Sequence, residues 1–269
     1  MASACPCGGV RRHAAFAWCL LSLAIVLGGA CPAASAEPTV LFLIGEPEYQ
    51  TGVTLPEFAA HELAPHGLRC LFATQDPADA NDFIGLEQLR AADLLLISVR
   101  RHAPTREHLA LVRAHLAAGK PLIGIRTASH AFGAVPPDDR HEGWMEFDHE
   151  VLGGSYQGHY GDVPAALAFA PGAAGHPVLD GVDPTRFAAQ RMYRNASLAP
   201  TATALLRGRA QGAAEDHFVA WVNQVGTSRV FYTSLGMAED FRNADFRRLL
   251  GNAVFWCLQR PPPPAPTPP

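Results

Sequence analysis

The part of the chain beyond residue 36 has few cysteines and no block of like charge. Only Cys70 and Cys257 occur there, with no CxxC pair and no Cys/His spacing of a zinc site. Each lies in an apolar run, so we expect two free thiols rather than a disulfide. The formal net charge is -4 and the charges are dispersed. Without a basic stripe, nucleic-acid binding is not expected, and a small molecule is the expected partner.

The two ends differ in composition from the middle of the chain. An Arg-Arg pair precedes an apolar run over residues 14–30, and a small-x-small cleavage site follows at 34–36. This pattern predicts a signal peptide over residues 1–36, with export to the periplasm or the medium by either the Sec or the twin-arginine route. The alternative is an uncleaved anchor, but the run is shorter than the about 20 residues a span needs. No stable membrane span is expected after cleavage. Residues 261–269 are almost pure proline, which predicts a disordered, extended tail.

Residues 37–260 have the pattern of one α/β domain. Continuous apolar runs predict four buried strands, separated by amphipathic segments that predict helices. One helix is expected to start at Thr54, with Glu57 at capping-box spacing, and another is expected to be capped by Thr105 and to end at Gly119. A short helix is expected over residues 86–91. The four strands are expected at residues 39–44, 68–74, 93–99 and 120–126.

The alternation of strand and helix predicts a mostly parallel sheet with helices on both faces. Two further strands are expected at residues 218–223 and 229–233, followed by a closing helix over residues 246–258. The stretch from 132 to 200 is rich in Gly, Pro, His and Asp and shows no clear period. We expect an irregular insertion there, near the carboxyl edge of the sheet.

Polar residues follow three of the predicted strands directly. Glu48 and Tyr49 follow the first, Arg100 to His102 the third, and Arg126 to His130 the fourth. In open α/β sheets, ligands bind outside the carboxyl ends of the strands. The sequence therefore predicts a working site at this edge.

The insertion adds two segments that suit a ligand. The first runs from Trp144 to His149 and contains Asp148, and the second runs from 153 to 160 and contains Tyr156 and His159. Glycines in the second segment allow close approach of backbone to a ligand, and aromatic faces suit sugar rings.

Four motifs together resemble the ThuA-like, trehalose-utilisation family. They are GIRTASHAF (124–132), LGGSYQGH (152–159), HPVLDGV (176–182) and RVFYTSLG (229–236). The resemblance extends from residue 40 to about residue 258. It implies a flavodoxin-like fold similar to that of the class I glutamine amidotransferases, and a link to carbohydrate metabolism.

The chain departs from these relatives at two positions. Where the amidotransferases carry a nucleophilic cysteine, this chain has Arg126, which cannot act as a nucleophile. A Cys-dependent glutamine amidotransferase is therefore excluded. Where many family members have Ser-Leu-Gly-His, this chain has Met237. The change allows for an altered or inactive copy, although Glu239 and Asp240 offer carboxylates nearby.

Each candidate site residue has a functional and a structural interpretation. The expected catalytic residues, acting as acids or bases, are His130, His159, Glu48 and Asp148, and the expected substrate-binding residues are Arg126, Tyr49, Ser129, Trp144 and Tyr156. Arg126 could instead form a structural ion pair, the carboxylates could be solvated in loops, and the aromatic residues could be ordinary packing. A divalent metal held by His130, His149, Asp148 and His159 is a further hypothesis without a diagnostic spacing.

These observations favour an enzyme acting by acid–base chemistry on a sugar or an oxidised sugar derivative outside the cytoplasm. The alternative is a non-catalytic sugar-binding module on the same scaffold, and a third hypothesis is an envelope protein that docks partners. The sequence does not determine the oligomeric state.

Overall fold

The computed structural model describes residues 37–264. Its α-helices are α1 (Thr51–Phe58), α2 (Arg106–Ala117) and α3 (Ala244–Cys257). Its strands are β1 (Thr39–Gly45), β2 (Arg69–Asp76), β3 (Asp79–Ile84), β4 (Leu94–Val99), β5 (Leu122–Ile125), β6 (Tyr156–His159), β7 (Pro164–Phe169), β8 (Ala189–Gln190), β9 (Tyr193–Asn195), β10 (Thr203–Ala210), β11 (His217–Val225) and β12 (Ser228–Thr233). Short 3-10 or π turns lie between them, including Ala59–Leu63, Leu86–Arg90, Arg126–His130 and Asp148–Leu152.

One ten-stranded sheet forms the framework, in the order β3-β2-β1-β4-β5-β12-β11-β10-β7-β8. The five strands from β2 to β12 run parallel, and antiparallel strands extend the sheet at both edges. Counted along the chain, the parallel strands have the order 2-1-3-4-5 of the flavodoxin-like fold. The predicted α/β class with a mainly parallel central sheet is confirmed.

Strands β1, β4 and β5 are almost entirely apolar and fully buried because both of their faces are covered. In β1, Val40 and Phe42 pack toward α1 and α3, whereas Leu41 and Leu43 pack toward α2. Thr105 caps α2 as predicted, since its hydroxyl accepts the His108 N–H at 3.4 Å. The predicted helices on both faces are therefore present.

Several predicted bounds were wrong. Helix α1 begins at Thr51 rather than Thr54, because loop contacts described below fix its first turn. Strand β3 was not predicted, since its sequence DANDFI is mostly polar and its side chains are half exposed at the sheet edge. The supposedly irregular insertion contains β6 to β9, of which β7 and β8 extend the main sheet and β6 and β9 form a small separate sheet.

Other sequence predictions have mixed outcomes. Cys70 and Cys257 are free thiols, as predicted. Within residues 37–264, no helix is long and apolar enough to cross a membrane. The predicted signal peptide lies outside the described residues. Of the proline-rich end, residues 261–264 are described and have no regular secondary structure, and Arg248 donates to the Pro263 carbonyl at 2.8 Å.

Candidate functional site

The ends of β1, β4 and β5 are neighbours at the carboxyl edge of the sheet. The strand order reverses between β1 and β4, and such a switch point leaves a crevice in which ligands bind. The three polar segments predicted to form a site therefore start from adjacent strands.

The loop after β1 is held by Glu46, a buried carboxylate that the sequence did not single out. Its Oε2 accepts the Tyr49 N–H at 2.7 Å, and its Oε1 accepts the Thr51 N–H at 3.0 Å and also the Thr51 hydroxyl. The Thr51 hydroxyl lies 2.9 Å from the Ser98 hydroxyl of β4. These contacts fix the start of α1 and the position of Tyr49, so Glu46 has a structural role.

Arg126 is the most unusual residue of the site. It follows β5 with a left-handed φ of 43°, and only 2% of its surface is exposed. Its Nη1 donates to the Ser234 carbonyl at 2.9 Å, and its own carbonyl accepts the Tyr232 hydroxyl at 2.7 Å. The guanidinium carbon lies 4.1 Å from the centroid of the Tyr49 ring and 4.9 Å from that of Tyr193. The cation is therefore enclosed by two aromatic rings.

An aromatic layer lies next to Arg126. The rings of His130 and Tyr156 stack at 4.7 Å with 23° between their planes. Tyr193 lies 4.6 Å from Tyr156 and 6.1 Å from His130. Burial raises the pKa of the Tyr156 and Tyr193 hydroxyls, so both stay protonated at neutral pH.

His130 is neutral near pH 7. Burial lowers its pKa to about 4, and the positive charges of Arg101, Arg100 and Arg126 add to the effect. Its Nδ1 lies 3.1 Å from the Ser129 hydroxyl, which has a longer contact of 3.4 Å to the Arg126 carbonyl. If Ser129 donates to that carbonyl, it accepts from Nδ1–H, which leaves Nε2 of His130 as a free base.

An open pocket of about 590 Å³ adjoins His130 and Tyr156. Its walls come from the loops after β4 and β5 and from the insertion. Five of the predicted site residues line it together: Ser129, His130, Trp144, Asp148 and Tyr156. The pocket is also lined by Arg101, which the sequence indicated only as part of a polar segment.

Asp148 holds the β6 wall of this pocket. Its Oδ2 accepts the Tyr156 N–H at 2.8 Å, and its Oδ1 is buried without a partner among residues 37–264. A Cβ on Gly154 would lie 2.6 Å from that Oδ1, so only glycine permits this packing. Burial raises the pKa of Asp148 to about 6. Oδ2 therefore positions the backbone of Tyr156, and the catalytic role predicted for Asp148 stays a prediction.

Trp144 forms the outer wall. Its Nε1 donates to Glu150 at 2.7 Å, and the Arg113 guanidinium lies 3.9 Å from its ring centroid. The Trp144 ring also meets the ring of Phe147 at 5.2 Å. The indole is therefore held in place while it borders the pocket.

Two predicted catalytic residues lie outside the pocket lining. Glu48 is half exposed and pairs with Arg100 at 3.2 Å and Arg191 at 3.8 Å. His159 is exposed, its Nδ1 lies 2.6 Å from the Tyr160 carbonyl, and its ring centroid is 6.4 Å from that of Tyr193. Neither contacts His130 directly in the described hydrogen-bond network.

No group of three or more His, Cys, Asp or Glu side chains within residues 37–264 is arranged to hold a metal ion. His130, His149, Asp148 and His159 therefore do not converge as a ligand set in this structure. Met237 lies in the loop after β12, where Asp240 Oδ2 accepts its N–H at 2.9 Å and that of Gly236 at 2.8 Å.

Tyr193 packs against His130, Tyr156 and Arg126 of the candidate site, and the sequence did not predict its place there. It is fully buried, yet it lies in the three-residue strand β9 inside the region expected to be irregular. In β9, Tyr193 and Asn195 are buried and Arg194 is exposed. An alternation over three residues is too short for the sequence to predict a strand.

The unusual protonation of Asp148 leads to a test of the site's electrostatics. The carboxyl has a pKa of about 6 in the folded protein, against 3.8 when free. Its contribution to the free energy of unfolding of the wild type therefore falls as pH rises from about 4 to about 6. Asp148→Asn removes that loss. We expect the stability of the variant relative to wild type to increase over this range by about 3 kcal/mol, since each pKa unit corresponds to about 1.4 kcal/mol.

Urea unfolding at several pH values measures this difference. His130 has the opposite dependence, because its lowered pKa makes stability rise between about 4 and 6.5. That contribution is common to both proteins and cancels in the comparison. A stability difference that is flat between pH 4 and 6 would contradict the raised pKa of Asp148.

Comparisons with known proteins agree on the fold. A family model described as trehalose utilisation, ThuA, matches residues 50–257. A ThuA-like protein from Bacteroides uniformis is similar in structure, with 16% identity, 85% of this chain and 94% of that chain covered, and a TM-score of 0.61. One from Parabacteroides merdae has 12% identity, 85% and 93% coverage and a TM-score of 0.56.

A third solved structure, the carbohydrate deacetylase Agd3, is similar over 76% of this chain and 30% of its own, with 12% identity and a TM-score of 0.50. A search of curated proteins finds no significant match. At these identities the structural likeness shows the fold alone.

Proposed function

The chain belongs to the ThuA family, which is linked to trehalose utilisation, and from this we propose that it is an enzyme that binds a carbohydrate in the pocket beside His130. The ligand class follows the family's role in carbohydrate metabolism. The position follows the pocket at the carboxyl edge, where five predicted site residues meet. The proposed reaction is acid–base chemistry on a sugar or an oxidised sugar derivative.

The neutral imidazole of His130 is the observation that supports a reaction most directly. Its ring lines the pocket, and its pKa of about 4 keeps it unprotonated at neutral pH. The contact between Nδ1 and the Ser129 hydroxyl leaves Nε2 free when Nδ1–H is the donor. An unprotonated imidazole nitrogen at a pocket surface can accept a proton from a sugar hydroxyl or from a carbon next to a carbonyl.

The aromatic walls support a sugar as the ligand. The rings of Trp144 and Tyr156 both border the pocket, and apolar sugar faces stack on such rings. The Tyr156 hydroxyl has a raised pKa, so it can donate a hydrogen bond to a ligand oxygen. Asp148 fixes the backbone of Tyr156 and so positions this donor.

The remaining predicted roles stay predictions. Glu48 and His159 lie outside the pocket lining, so a catalytic role for either would require the ligand to extend past the pocket toward the ends of β1 and β6. Arg126 lies behind Tyr193, where its charge helps to keep His130 neutral. Export through residues 1–36 also stays a prediction.

A non-catalytic sugar-binding module is the second candidate. Met237 favours it, because the thioether supplies neither the acid nor the base that a histidine at this position would offer. The nearby Asp240 does not replace it, since its Oδ2 is engaged by two backbone N–H groups.

Calorimetry and product analysis distinguish the candidates. The purified protein is titrated with trehalose, maltose, cellobiose, glucose and the sugar acid glucuronate, and each mixture is then incubated and examined by mass spectrometry. Binding with a new product supports the enzyme, whereas binding without a product supports the module. Absence of binding to every sugar of the panel would overturn both.

A further inference from the structure

The guanidinium of Arg126 has one edge in use and one edge without partners. Nη1 donates to the Ser234 carbonyl, whereas Nε and Nη2 are buried and have no hydrogen-bond partner among residues 37–264. Nε–H and the outer Nη2–H lie on the same side of the planar group and point in parallel. That edge is the one that pairs with both oxygens of a carboxylate.

Burial makes these unpaired donors costly. Buried polar groups in proteins almost always have hydrogen-bond partners, and a buried charge normally has a counter-charge. Within residues 37–264, no carboxylate oxygen lies within 4 Å of the Arg126 nitrogens. The charge of Arg126 opposes the rise in the pKa of Asp240 that burial causes, but Oδ2 of that carboxylate accepts backbone N–H groups.

The two tyrosine rings do not satisfy these donors. Tyr49 and Tyr193 contact the guanidinium through its carbon, at 4.1 Å and 4.9 Å from their ring centroids. Such contacts stabilise the charge through the ring face and leave hydrogen bonds at the edge unformed.

The surroundings of the site are positive although the whole chain has a net charge of -4. Arg100, Arg101 and Arg126 all lower the pKa of His130. Arg100 pairs with Glu48, but no acidic oxygen of the described residues lies within 4 Å of Arg101, which lines the pocket. Glu146 is an exposed acid on the pocket wall, and among residues 37–264 its carboxylate lies more than 4 Å from the side-chain nitrogens of Arg101 and Arg126.

We propose that the ligand carries a carboxylate, which pairs bidentately with Nε and Nη2 of Arg126. The substrate class is then a sugar acid, such as a uronic or an aldonic acid. This inference rests on the proposed carbohydrate site and specifies its ligand.

The carboxylate must pass the aromatic layer to reach this edge. Tyr193 is fully buried, whereas Tyr156 is only half buried and borders the open pocket. Tyr156 lies on β6 between Gly153 and Gly158, which have left-handed φ values of 76° and 94°. Arg126 is not part of the pocket lining, so we expect ligand entry to require displacement of the half-buried Tyr156 ring.

A matched pair of probes tests the proposal. Glucose and glucuronate share a ring and differ only at C6, which is a hydroxymethyl group in glucose and a carboxylate in glucuronate. The difference between their affinities therefore isolates the contribution of the charge. We expect calorimetry to show glucuronate binding at least about tenfold more tightly than glucose, the scale of one charge-assisted pair.

Two variants locate that preference. Arg126→Lys keeps the charge but lacks the bidentate edge, so the ratio of affinities should fall to about twofold or less. Arg209→Lys makes the same change at an exposed arginine of β10, which pairs with Asp216. This control should keep the wild-type ratio of glucuronate to glucose affinity. Circular dichroism checks that both variants fold. In the wild-type protein, acetate should compete with glucuronate for binding but should not compete with glucose. This measurement tests the carboxylate site without any variant.

The outcomes separate this inference from the proposed function. Equal affinity for glucose and glucuronate, or a preference that Arg126→Lys leaves unchanged, overturns the carboxylate site and leaves the carbohydrate site standing. Binding of acetate with no binding of any sugar in the panel supports an anion site and overturns the carbohydrate function. Absence of binding by sugars and acetate overturns both.

Discussion

Replacement of His130 by alanine is expected to reduce kcat by about 10²–10⁴-fold on whichever sugar proves to be turned over, the range for loss of a general base. The imidazole of His130 borders the pocket and is unprotonated at neutral pH, and its Nε2 can accept a proton when Nδ1–H donates to Ser129. Sugar affinity should change far less, because Trp144 and Tyr156 supply the contact surface. Steady-state kinetics and calorimetry on the same preparations measure both effects.

The pH dependence offers a second measurement of the same role. The pKa of His130 is about 4, so the rate should stay level near neutrality and fall below about pH 4.5, where the imidazolium cannot accept a proton. NMR titration of the ring should give the same value.

A matched control strengthens this prediction. His61→Ala removes an exposed histidine on the turn after α1 and should leave kcat unchanged. If His130→Ala turns over substrate at the wild-type rate while remaining folded, His130 is not the base. A ring that titrates near 6.5 would contradict the burial and the positive surroundings that define the site.

Truncation of Trp221 is expected to produce the largest loss of stability, about 3–5 kcal/mol for Trp221→Ala. The indole is fully buried in β11 and its ring centroid lies 4.5 Å from that of Tyr232. Its Nε1 donates to the Leu152 carbonyl at 2.7 Å, so truncation leaves both a cavity and an unpaired buried carbonyl. The ring also packs against Gly154, which links the sheet to the pocket wall.

Urea unfolding followed by circular dichroism measures the loss. Trp256→Ala provides the comparison, because Trp256 is half buried on α3 and borders Arg229 at 4.8 Å. The loss there should be well below that at Trp221. Equal losses at the two positions would show that the contact with Leu152 and the packing behind Gly154 contribute little.

The central fold could be predicted because its strands are buried on both faces. Runs such as 40–44 and 94–97 are apolar at every position, which marks a strand without any need for tertiary information. Strand β3 gives no such signal, since its polar residues are paired only with β2 at the sheet edge. Strand β7 (Pro164–Phe169, PAALAF) consists largely of alanine, which gives no strong strand signal. It forms a strand because it pairs with β10, about 40 residues later.

The site could be predicted in position but not in detail. The carboxyl-end rule placed Arg126 and His130 correctly, because it depends only on strand direction. The rule could not place Tyr193, whose approach to Arg126 depends on the folding of the whole insertion. The structural use of Glu46 and Asp148 was also not predictable, since a loop carboxylate has the same sequence signature whether it holds backbone N–H groups or faces solvent.

The left-handed backbone at Arg126 limits how this site can evolve. A left-handed backbone costs a residue other than glycine about 1–2 kcal/mol, and the cost is smallest for asparagine, aspartate and histidine. Exchange for a β-branched residue would add strain to the loss of the guanidinium, whereas glycine or asparagine would relax the turn. We therefore expect relatives that have lost the ligand to carry glycine or asparagine at position 126, where the backbone φ is 43°.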